Sequence, residues 1–296
     1  MAEGIKYENI ELYYYTSIEA LKSIVENKTI RLTDYRFLND PNELNIAINN
    51  FEDYLKLEKD EPSLSQERIN KIIKILEHIK AGGKINLVET DKFIEGRKLL
   101  AYKNESASYL YILSLTQKND DLALWTMYGK TGVRIKLSSA KLFEFFYGFR
   151  DRHFLQGITN PYRGEVYYSN NETRYDSLIY CLIHSDIVSQ DYDILLQSLS
   201  NEKDAAFQYE SEYRISLNLS DEFIKNNDSV KKLFIVKDNI IKPQIEFSDF
   251  SVQDIIEDIL ISPYNHSDCA ALSVKEFLKY NLGKDIPVNS SSIKIR

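Results

Sequence analysis

Two segments in which apolar and polar residues alternate constrain the fold of this chain most. Residues 132–137 and 212–219 carry apolar side chains at every second position, as Tyr213, Ile215 and Leu217 show in the second segment. Successive side chains of a strand point to opposite faces of a sheet, so this pattern predicts two β-strands, each with one face in a core.

Helical periodicity is interleaved with these strands in no regular order. The run from Asp40 to Glu43 has an acidic cap, a proline at the first helical position and a glutamate three residues after the cap, which predicts a helix start. Ser65 predicts the start of a second helix. The two helices indicate a helical insertion at about 41–104 in a single domain covering 1–296. Because strands and helices do not alternate as βαβ units, the predicted class is α+β.

Shorter apolar stretches predict the remaining strands. They lie at 11–15, 29–32, 108–114, 165–168, 259–261 and 286–295, and segments 233–236 and 240–245 predict a hairpin.

Charge and cysteine content exclude several function classes. The chain has 37 Lys and Arg against 45 Asp and Glu, a net charge of −8. Nucleic acid could therefore be bound only through a local basic patch, such as Arg134 with Lys136 or Arg150 with Arg152. The two cysteines are far apart and form no CxxC, which fits a reduced cytoplasm and predicts no metal site. With no apolar run of about 18 residues and no secretory signal, we expect a cytoplasmic protein without membrane contact.

The strongest candidate site is the segment from Tyr209 to Arg214. If it is extended, Glu210, Glu212 and Arg214 share one face. Two carboxylates beside a guanidinium suit a site that stabilises positive charge and binds hydroxyl groups. The alternative is a solvated sheet face with an ordinary surface ion pair. The sequence leaves both interpretations open.

An aromatic strand that runs into a helix start is the second candidate. Tyr14 and Tyr15 precede Thr16, and Thr16 with Glu19 predicts a capping box. A helix N-terminus offers free N–H groups to phosphate or ribose oxygens. The alternative is that tyrosine is an ordinary strand residue and Thr16 only caps the helix.

Two further segments carry candidate residues. Arg31 and Arg36 lie in a connection and suit phosphate binding, although a solvated loop explains them equally well. The end of that connection, at Glu43, is explained as a helix start. A predicted short helix from Asp121 to Tyr128 places Trp125 near the face of Tyr128, a pattern more typical of a core stripe.

Taken in order, several segments resemble a bacterial uncharacterised-domain family that is common in phage-defence and toxin loci. Its motifs read approximately L-Y-H-Y-T-S, R-L-S-x-x-x-x-L-N-D-P-x-E, S-F-S-x-x-x-D-x-L-x-M-W-S-H-Y-A…G-V-x-I-x-F, K-x-x-x-W-x-Y-E-x-E-Y-R, E-I-I-x-G-P and V-x-x-S-x-I-x-x-R. The corresponding segments here are 12–17, 31–43, 114–137, 203–214, 257–263 and 288–296. Such proteins are similar to ADP-ribosyltransferases, so the resemblance implies a mixed or antiparallel β core with peripheral helices.

The resemblance also implies an NAD site. Glu212 stands at the catalytic glutamate, with Glu210 as its neighbour, and Tyr14 stands where the family has histidine. The residues implied as catalytic are Glu212, Glu210 and Arg36; those implied to bind NAD are Tyr14, Tyr15, Thr16, Arg31, Asn39, Ser114, Trp125, Tyr128 and Arg214. Which of the two glutamates carries the main role stays open.

By this resemblance the leading hypothesis is a mono-ADP-ribosyltransferase toxin of a phage-defence or toxin–antitoxin system. It would consume NAD and modify a nucleic acid, with RNA favoured and protein as the other acceptor, and an antitoxin or inhibitor protein would restrain it. The members of toxin–antitoxin–chaperone systems that modify messenger RNA suggest RNA. The alternatives are an NAD glycohydrolase and a non-catalytic sensor or binding module on the same fold.

Overall fold

A computed structural model describes residues 9–39, 42–57, 64–81, 93–94, 97–98, 108–153, 158, 161–168, 172–183, 188–237 and 239–295. The class is α+β, as predicted, with a mainly antiparallel sheet and several helices. The predicted cap at Asp40 and the predicted end of the insertion near residue 104 lie outside the described residues.

The strands are β1 (Glu11–Thr16), β2 (Ile30–Asp34), β3 (Phe93–Ile94), β4 (Arg97–Lys98), β5 (Ser108–Thr116), β6 (Val133–Ser138), β7 (Tyr162–Glu165), β8 (Tyr167–Tyr168), β9 (Glu202–Lys203), β10 (Glu212–Ser220), β11 (Val230–Lys237), β12 (Ile240–Phe247), β13 (Ile256–Ile261) and β14 (Val288–Ser290).

The α-helices are α1 (Ile18–Asn27), α2 (Glu43–Leu57), α3 (Gln66–Lys80), α4 (Leu122–Leu124), α5 (Ser139–His153), α6 (Glu172–Ile183), α7 (Val188–Leu199), α8 (Asp221–Lys225), α9 (Val252–Ile255) and α10 (Ala270–Leu282). A π-helix follows α4 at Trp125–Gly129, and 3-10 helices lie at Tyr35–Phe37 and Ala205–Glu210. Among the described residues, none of the helices is long and apolar enough to span a membrane.

The main sheet splits along β5. Its path runs β11-β12-β2-β5-β1-β6-β13-β14, and β10 pairs with β5 and β7. On one side β5 pairs with β10 over its whole length. On the other side β2 pairs at Tyr111 and Ile112, whereas β1 pairs only at Thr116. Within the described residues, β1 and β2 are not paired with each other, so the sheet opens between them beside residues 113–115.

Three apolar clusters hold the layers together. The largest covers one sheet face with α1, α5, α8, α9 and α10. The second joins α2, α3, α6 and α7 to Leu110 and Ile112 on the opposite face. The third is a small cluster of Tyr13, Tyr15 and Trp125 with Leu124. The helices of the predicted insertion therefore form a layer with α6 and α7 over the sheet.

Strand β10 is buried on both faces, so the solvated-face alternative does not apply to it. Eight of its nine residues are buried. Tyr213, Ile215 and Leu217 pack in the largest cluster, while Arg214 and Ser216 on the other face are buried as well. The sequence pattern did not show that α2 and α7 reach the polar face, where Glu43 pairs with Arg214 and Asp193 accepts from Asn218.

Several predicted boundaries are wrong in detail. The cap of α1 is Ser17, whose Oγ accepts a hydrogen bond from the amide of Ala20 at 3.1 Å, and Thr16 is the last residue of β1. Glu210 ends a 3-10 helix and is not part of β10, because Ser211 turns the chain with a φ of 43°. The last strand is confined to β14, far shorter than predicted. The predicted hairpin is confirmed as β11 and β12, which pair in antiparallel register.

Candidate functional site

A cavity of about 490 Å³ lies where the sheet opens between β1 and β2. That volume is within the range of ligand pockets. Ser114 lies on β5 in the unpaired stretch, lines the cavity and is exposed although its neighbours on the strand are buried. The hairpin of β11 and β12 forms one wall, and the start of β10 forms the other. The unpaired stretch of β5, the hairpin and the start of β10 therefore surround one site.

Glu212 and Arg214 form the centre of the wall at β10. Arg214 donates to both carboxylate oxygens of Glu212, from Nε at 2.8 Å and from Nη2 at 2.9 Å. Lys203 Nζ lies 3.2 Å from Glu212 Oε2. The backbone amide of Glu212 donates to the hydroxyl of Tyr168 at 2.7 Å. These contacts fix the orientation of a carboxylate that is only 5% exposed.

Glu210 reaches the same wall from the 3-10 helix. Its Oε2 accepts from Lys203 Nζ at 2.5 Å, and its Oε1 accepts from the hydroxyl of Tyr128 at 2.8 Å. Its carbonyl oxygen accepts from Thr116 Oγ1 at 2.6 Å. The left-handed conformation of Ser211 brings Glu210 beside Glu212. Lys203 therefore bridges the two carboxylates, and the solvated-face alternative for this segment is wrong.

Glu43 completes the group of buried charges. It is the first residue of α2, it is 5% exposed, and its carboxylate forms an ion pair with Arg214 Nη1. The interpretation of this segment as only a helix start is therefore incomplete. Arg214 also donates to the carbonyl oxygen of Ser200. The guanidinium thus ties α2 and the end of α7 to the cavity wall.

Burial and charge act in opposite directions on these groups. Burial disfavours the ionised form of Glu212, but Arg214 and Lys203 outweigh it and lower the pKa of this carboxyl to about 2. Burial also disfavours the charged form of Lys203, yet Glu212 and Glu210 raise its pKa above the usual value. Burial dominates at Glu43 and raises its pKa. At neutral pH, Glu212 is therefore an anion and a very weak base.

The aromatic segment of β1 lies beside the cavity. Tyr14, Tyr15 and Thr16 line it. The hydroxyl of Tyr15 donates to the carbonyl oxygen of Asn119 at 2.8 Å, and its ring packs edge-on against Trp125. Tyr14 is half-buried, and burial raises its pKa. Tyr15 is therefore held firmly, whereas Tyr14 is partly exposed and packs against the largest apolar cluster.

Two predicted residues lie outside the cavity lining. Trp125 is fully buried, and its Nε1 donates to Asp120 at 2.7 Å. Asp120 also accepts from Ser291 near the end of the chain. Arg36 pairs with Asp34 and lies over the ring of Tyr109. These contacts give both residues a structural explanation. The predicted residues that do line the cavity are Glu210, Glu212, Tyr14, Tyr15, Thr16, Arg31, Asn39, Ser114, Tyr128 and Arg214.

Four charged residues of the cavity lining were not singled out from the sequence, and one of them is Lys237 on β11. Glu43 and Lys203 belong to the ion-pair group, and Lys242 lines the cavity from β12. Lys203 begins the K-x-x-x-W motif, so the motif itself contained a signal for it. Nothing local distinguished Lys242 from other lysines. Together the residues can hold a ligand with a positively charged or electron-poor group at Glu212 and an anionic group near the hairpin.

The comparisons found one family model that matches part of the chain. The profile of a family described as "Protein of unknown function (DUF2971)" matches residues 124–215. That segment includes Tyr128, Lys203, Glu210, Glu212 and Arg214, and it ends one residue after Arg214. Neither the curated proteins nor the solved structures contain a match. The predicted resemblance to an uncharacterised domain family is thus supported over the part of the chain that carries Lys203, Glu210, Glu212 and Arg214.

Proposed function

We propose that the chain is an NAD-dependent mono-ADP-ribosyltransferase. The observation that carries the proposal is the buried, ionised carboxylate of Glu212 in the wall of a cavity formed by a split antiparallel sheet. Loss of nicotinamide from NAD leaves positive charge on the ribose, and a fixed anion beside that charge lowers the barrier. The resemblance to ADP-ribosyltransferases supplies the identity of the substrate.

The bond that breaks joins C1′ of the ribose to the pyridinium nitrogen. Its electron pair passes to that nitrogen, so neutral nicotinamide leaves. Glu212 stabilises the cationic ribose and accepts a hydrogen bond from its 2′-hydroxyl. A nucleophile of the acceptor then forms a bond to C1′ and loses a proton. Glu212 is unsuited to take that proton because its pKa is about 2. We assign the proton to Glu210, which Lys203 and Tyr128 hold beside it.

The acceptor in this proposal is a nucleic acid, with RNA favoured. The predicted basic pair of Arg134 and Lys136 does not support it, because Arg134 is buried and paired with Asp258 and Lys136 contacts Glu11 at 3.0 Å. The β11–β12 hairpin offers a better basic surface, with Lys231 and Lys237 exposed on β11 and Lys242 at the cavity beside them. A role as a toxin in phage defence, restrained by an antitoxin in the cytoplasm, rests on the family resemblance alone.

A binding module without turnover is the second candidate. It is favoured by the pairing of both Glu212 oxygens with Arg214 and Lys203. A carboxylate with these partners can hold a protein structure together without catalysing a reaction. An NAD glycohydrolase would use the same cavity with water as the nucleophile.

One experiment separates these functions. Purified protein is incubated with NAD labelled on the adenylate phosphate and with separate pools of RNA, single-stranded DNA and protein, and free nicotinamide is measured in each. We expect label on RNA, and a loss of at least about a hundredfold in rate for Glu212→Gln. Glu212→Asp keeps the charge opposite Arg214 but withdraws the carboxylate, so it should also lose activity. Glu165→Gln, an exposed change on the neighbouring β7, is the control.

The outcomes are distinct. Nicotinamide release without label on any pool indicates the glycohydrolase. Binding of NAD without nicotinamide release indicates the binding module. Equal activity of Glu212→Gln and the Glu165→Gln control would contradict the assigned role of Glu212. The circular dichroism spectrum and melting temperature of each variant establish that its fold is intact.

A further inference from the structure

Lys242 is a buried lysine that lines the cavity without a counter-ion. It is 7% exposed. Its ammonium has no hydrogen bond or ion pair to any part of the chain that the structure describes. Because this ammonium borders the cavity and is not enclosed in the interior, an anion in the cavity can reach it. The position therefore suits an anionic group that is not supplied by these parts of the protein.

The other buried cations of the cavity differ from Lys242 in this respect. Lys203 contacts Glu210 and Arg214 contacts Glu212. Arg31, which is partly exposed on β2, pairs through its Nε with Glu246 at 2.6 Å. These cations are neutralised by carboxylates of the chain, so their charge is already balanced.

The hairpin places a second lysine beside the first. Lys242 is opposite Ile235 in the antiparallel register, and Lys237 lies two residues beyond Ile235 on β11. Paired residues and residues two apart share a face of a sheet, so Lys237 and Lys242 face the same side. Both line the cavity, with Lys237 exposed and Lys242 buried. On the same face of β12, Gln244 Nε2 donates a hydrogen bond to Thr33 Oγ1 at 3.0 Å, and this bond holds β12 against β2.

We propose that Lys242, together with Lys237, binds a phosphate group of the ligand. An ammonium is a compact point charge that binds phosphate oxygens well. The phosphate has two sources: the pyrophosphate of a dinucleotide within the cavity, or a backbone phosphate of a nucleic acid that passes the hairpin. The identity of the ligand rests on the proposed function, whereas the anion site stands on the burial and isolation of Lys242.

The test measures melting temperatures with three probes: inorganic pyrophosphate, ADP-ribose and a single-stranded oligouridylate. The wild-type protein is compared with Lys242→Met, which keeps the size of the side chain and removes its charge. Lys279→Gln is the matched control, because Lys279 is exposed on α10 and lies neither in the cavity nor on the hairpin. A ligand that binds the folded state raises its melting temperature. We expect ADP-ribose and pyrophosphate to do so in the wild type and the control only.

Calorimetry gives the size of the effect. We expect Lys242→Met to weaken ADP-ribose binding by about tenfold to a hundredfold, the range for a hydrogen bond to a charged group. Without ligand, the melting temperature of Lys242→Met should equal or exceed that of the wild type, because an unpaired charge has been removed. A melting temperature several degrees lower would show that the ammonium has a partner within the protein, and would overturn the proposal.

The remaining outcomes separate the two phosphate sources. A shift by ADP-ribose or pyrophosphate that Lys242→Met alone loses supports the site and identifies a soluble nucleotide. The same result with only the oligouridylate supports the site and identifies a nucleic acid backbone. No shift in the wild type with any probe, or equal shifts in Lys242→Met, overturns the proposal. If the anion site passes this test while NAD releases no nicotinamide, the proposed function fails and the phosphate site stands.

Discussion

The guanidinium of Arg214 makes two parallel hydrogen bonds to the carboxylate of Glu212, at 2.8 and 2.9 Å, and both side chains are almost completely buried. The same guanidinium pairs with Glu43 from another element of the fold. One residue therefore neutralises two carboxylates that the chain has removed from water. Such a pair is costly to break, because the surviving charges stay buried.

Arg214→Leu should lower the free energy of unfolding by about 3–5 kcal/mol, since it leaves Glu212 and Glu43 without this partner. Urea unfolding measures the change. Arg31→Leu is the matched control: Arg31 pairs with Glu246, but its side chain is 37% exposed. A pair that solvent reaches is worth about 0–1 kcal/mol. Equal losses in the two variants would contradict the role of Arg214.

The lowered pKa of Glu212 predicts a pH-dependent contribution to stability. The pKa of its carboxyl is about 2 in the folded protein against a usual value of 4.5. The unfolded chain binds the proton first as the pH falls, so the stabilisation is complete above about pH 5 and is lost as the pH falls towards 2. Unfolding free energies of the wild type and Glu212→Gln should therefore differ most at neutral pH.

The measurement is urea unfolding of both proteins from pH 7 to pH 3. The difference between them should shrink steadily over the acidic part of this range. A difference that stays constant with pH would show that the Glu212 carboxylate gains no stabilisation from Arg214 and Lys203. Glu165→Gln is again the control for removing an exposed carboxylate.

The strands of the sheet could be predicted because their signal is local. Alternation at Tyr213, Ile215 and Leu217 depends only on neighbouring residues, and the structure confirms β10 there. The polar residues between these apolar positions suggested that the other face of β10 is exposed, whereas that face is buried. Arg214 is usually an exposed residue type, and its burial depends on helices from distant parts of the sequence.

The composition of the site was predictable only in part. Glu210 and Glu212 are two residues apart, and their spacing alone suggested a site. The two carboxylates lie close together because Ser211 turns the chain between them, and not because both residues belong to one strand. Glu43 and Lys242 come from segments far from β10, and only tertiary packing brings them to the cavity. Local patterns carry no information about such long-range contacts.

Gly132 is a position where the backbone leaves no room for a side chain. A Cβ there would overlap the carbonyl oxygen of Thr16 and lie 2.8 Å from that of Gly129. Because backbone atoms cannot rotate away, Gly132→Ala should cost about 1–3 kcal/mol of stability.

Gly148→Ala in α5 is the opposite case, with its nearest atom, Arg152 Nη1, at 3.6 Å. It should stabilise by about 0.5–1 kcal/mol, because alanine favours helix. Thermal unfolding of both variants checks the signs, and a neutral Gly132→Ala would contradict the packing of β1 against the turn before β6.

Asp193 on α7 predicts a second pH dependence, of the opposite sign. Burial raises the pKa of its carboxyl from 3.8 to about 7, although Asn218 Nδ2 donates to its Oδ1 at 2.8 Å. The folded protein therefore holds a proton that the unfolded chain has released, so stability falls as the pH rises from about 4 to 7 and then levels off.

Asp193→Asn keeps the shape and the accepting oxygen but cannot ionise. It should raise the free energy of unfolding by about 1–4 kcal/mol at pH 7.5, at about 1.4 kcal/mol per pKa unit, and change it little at pH 4. Asp228→Asn is the control for removing an exposed carboxylate. Equal effects of Asp193→Asn at both pH values would show that the carboxyl is not protonated in the folded protein at neutral pH.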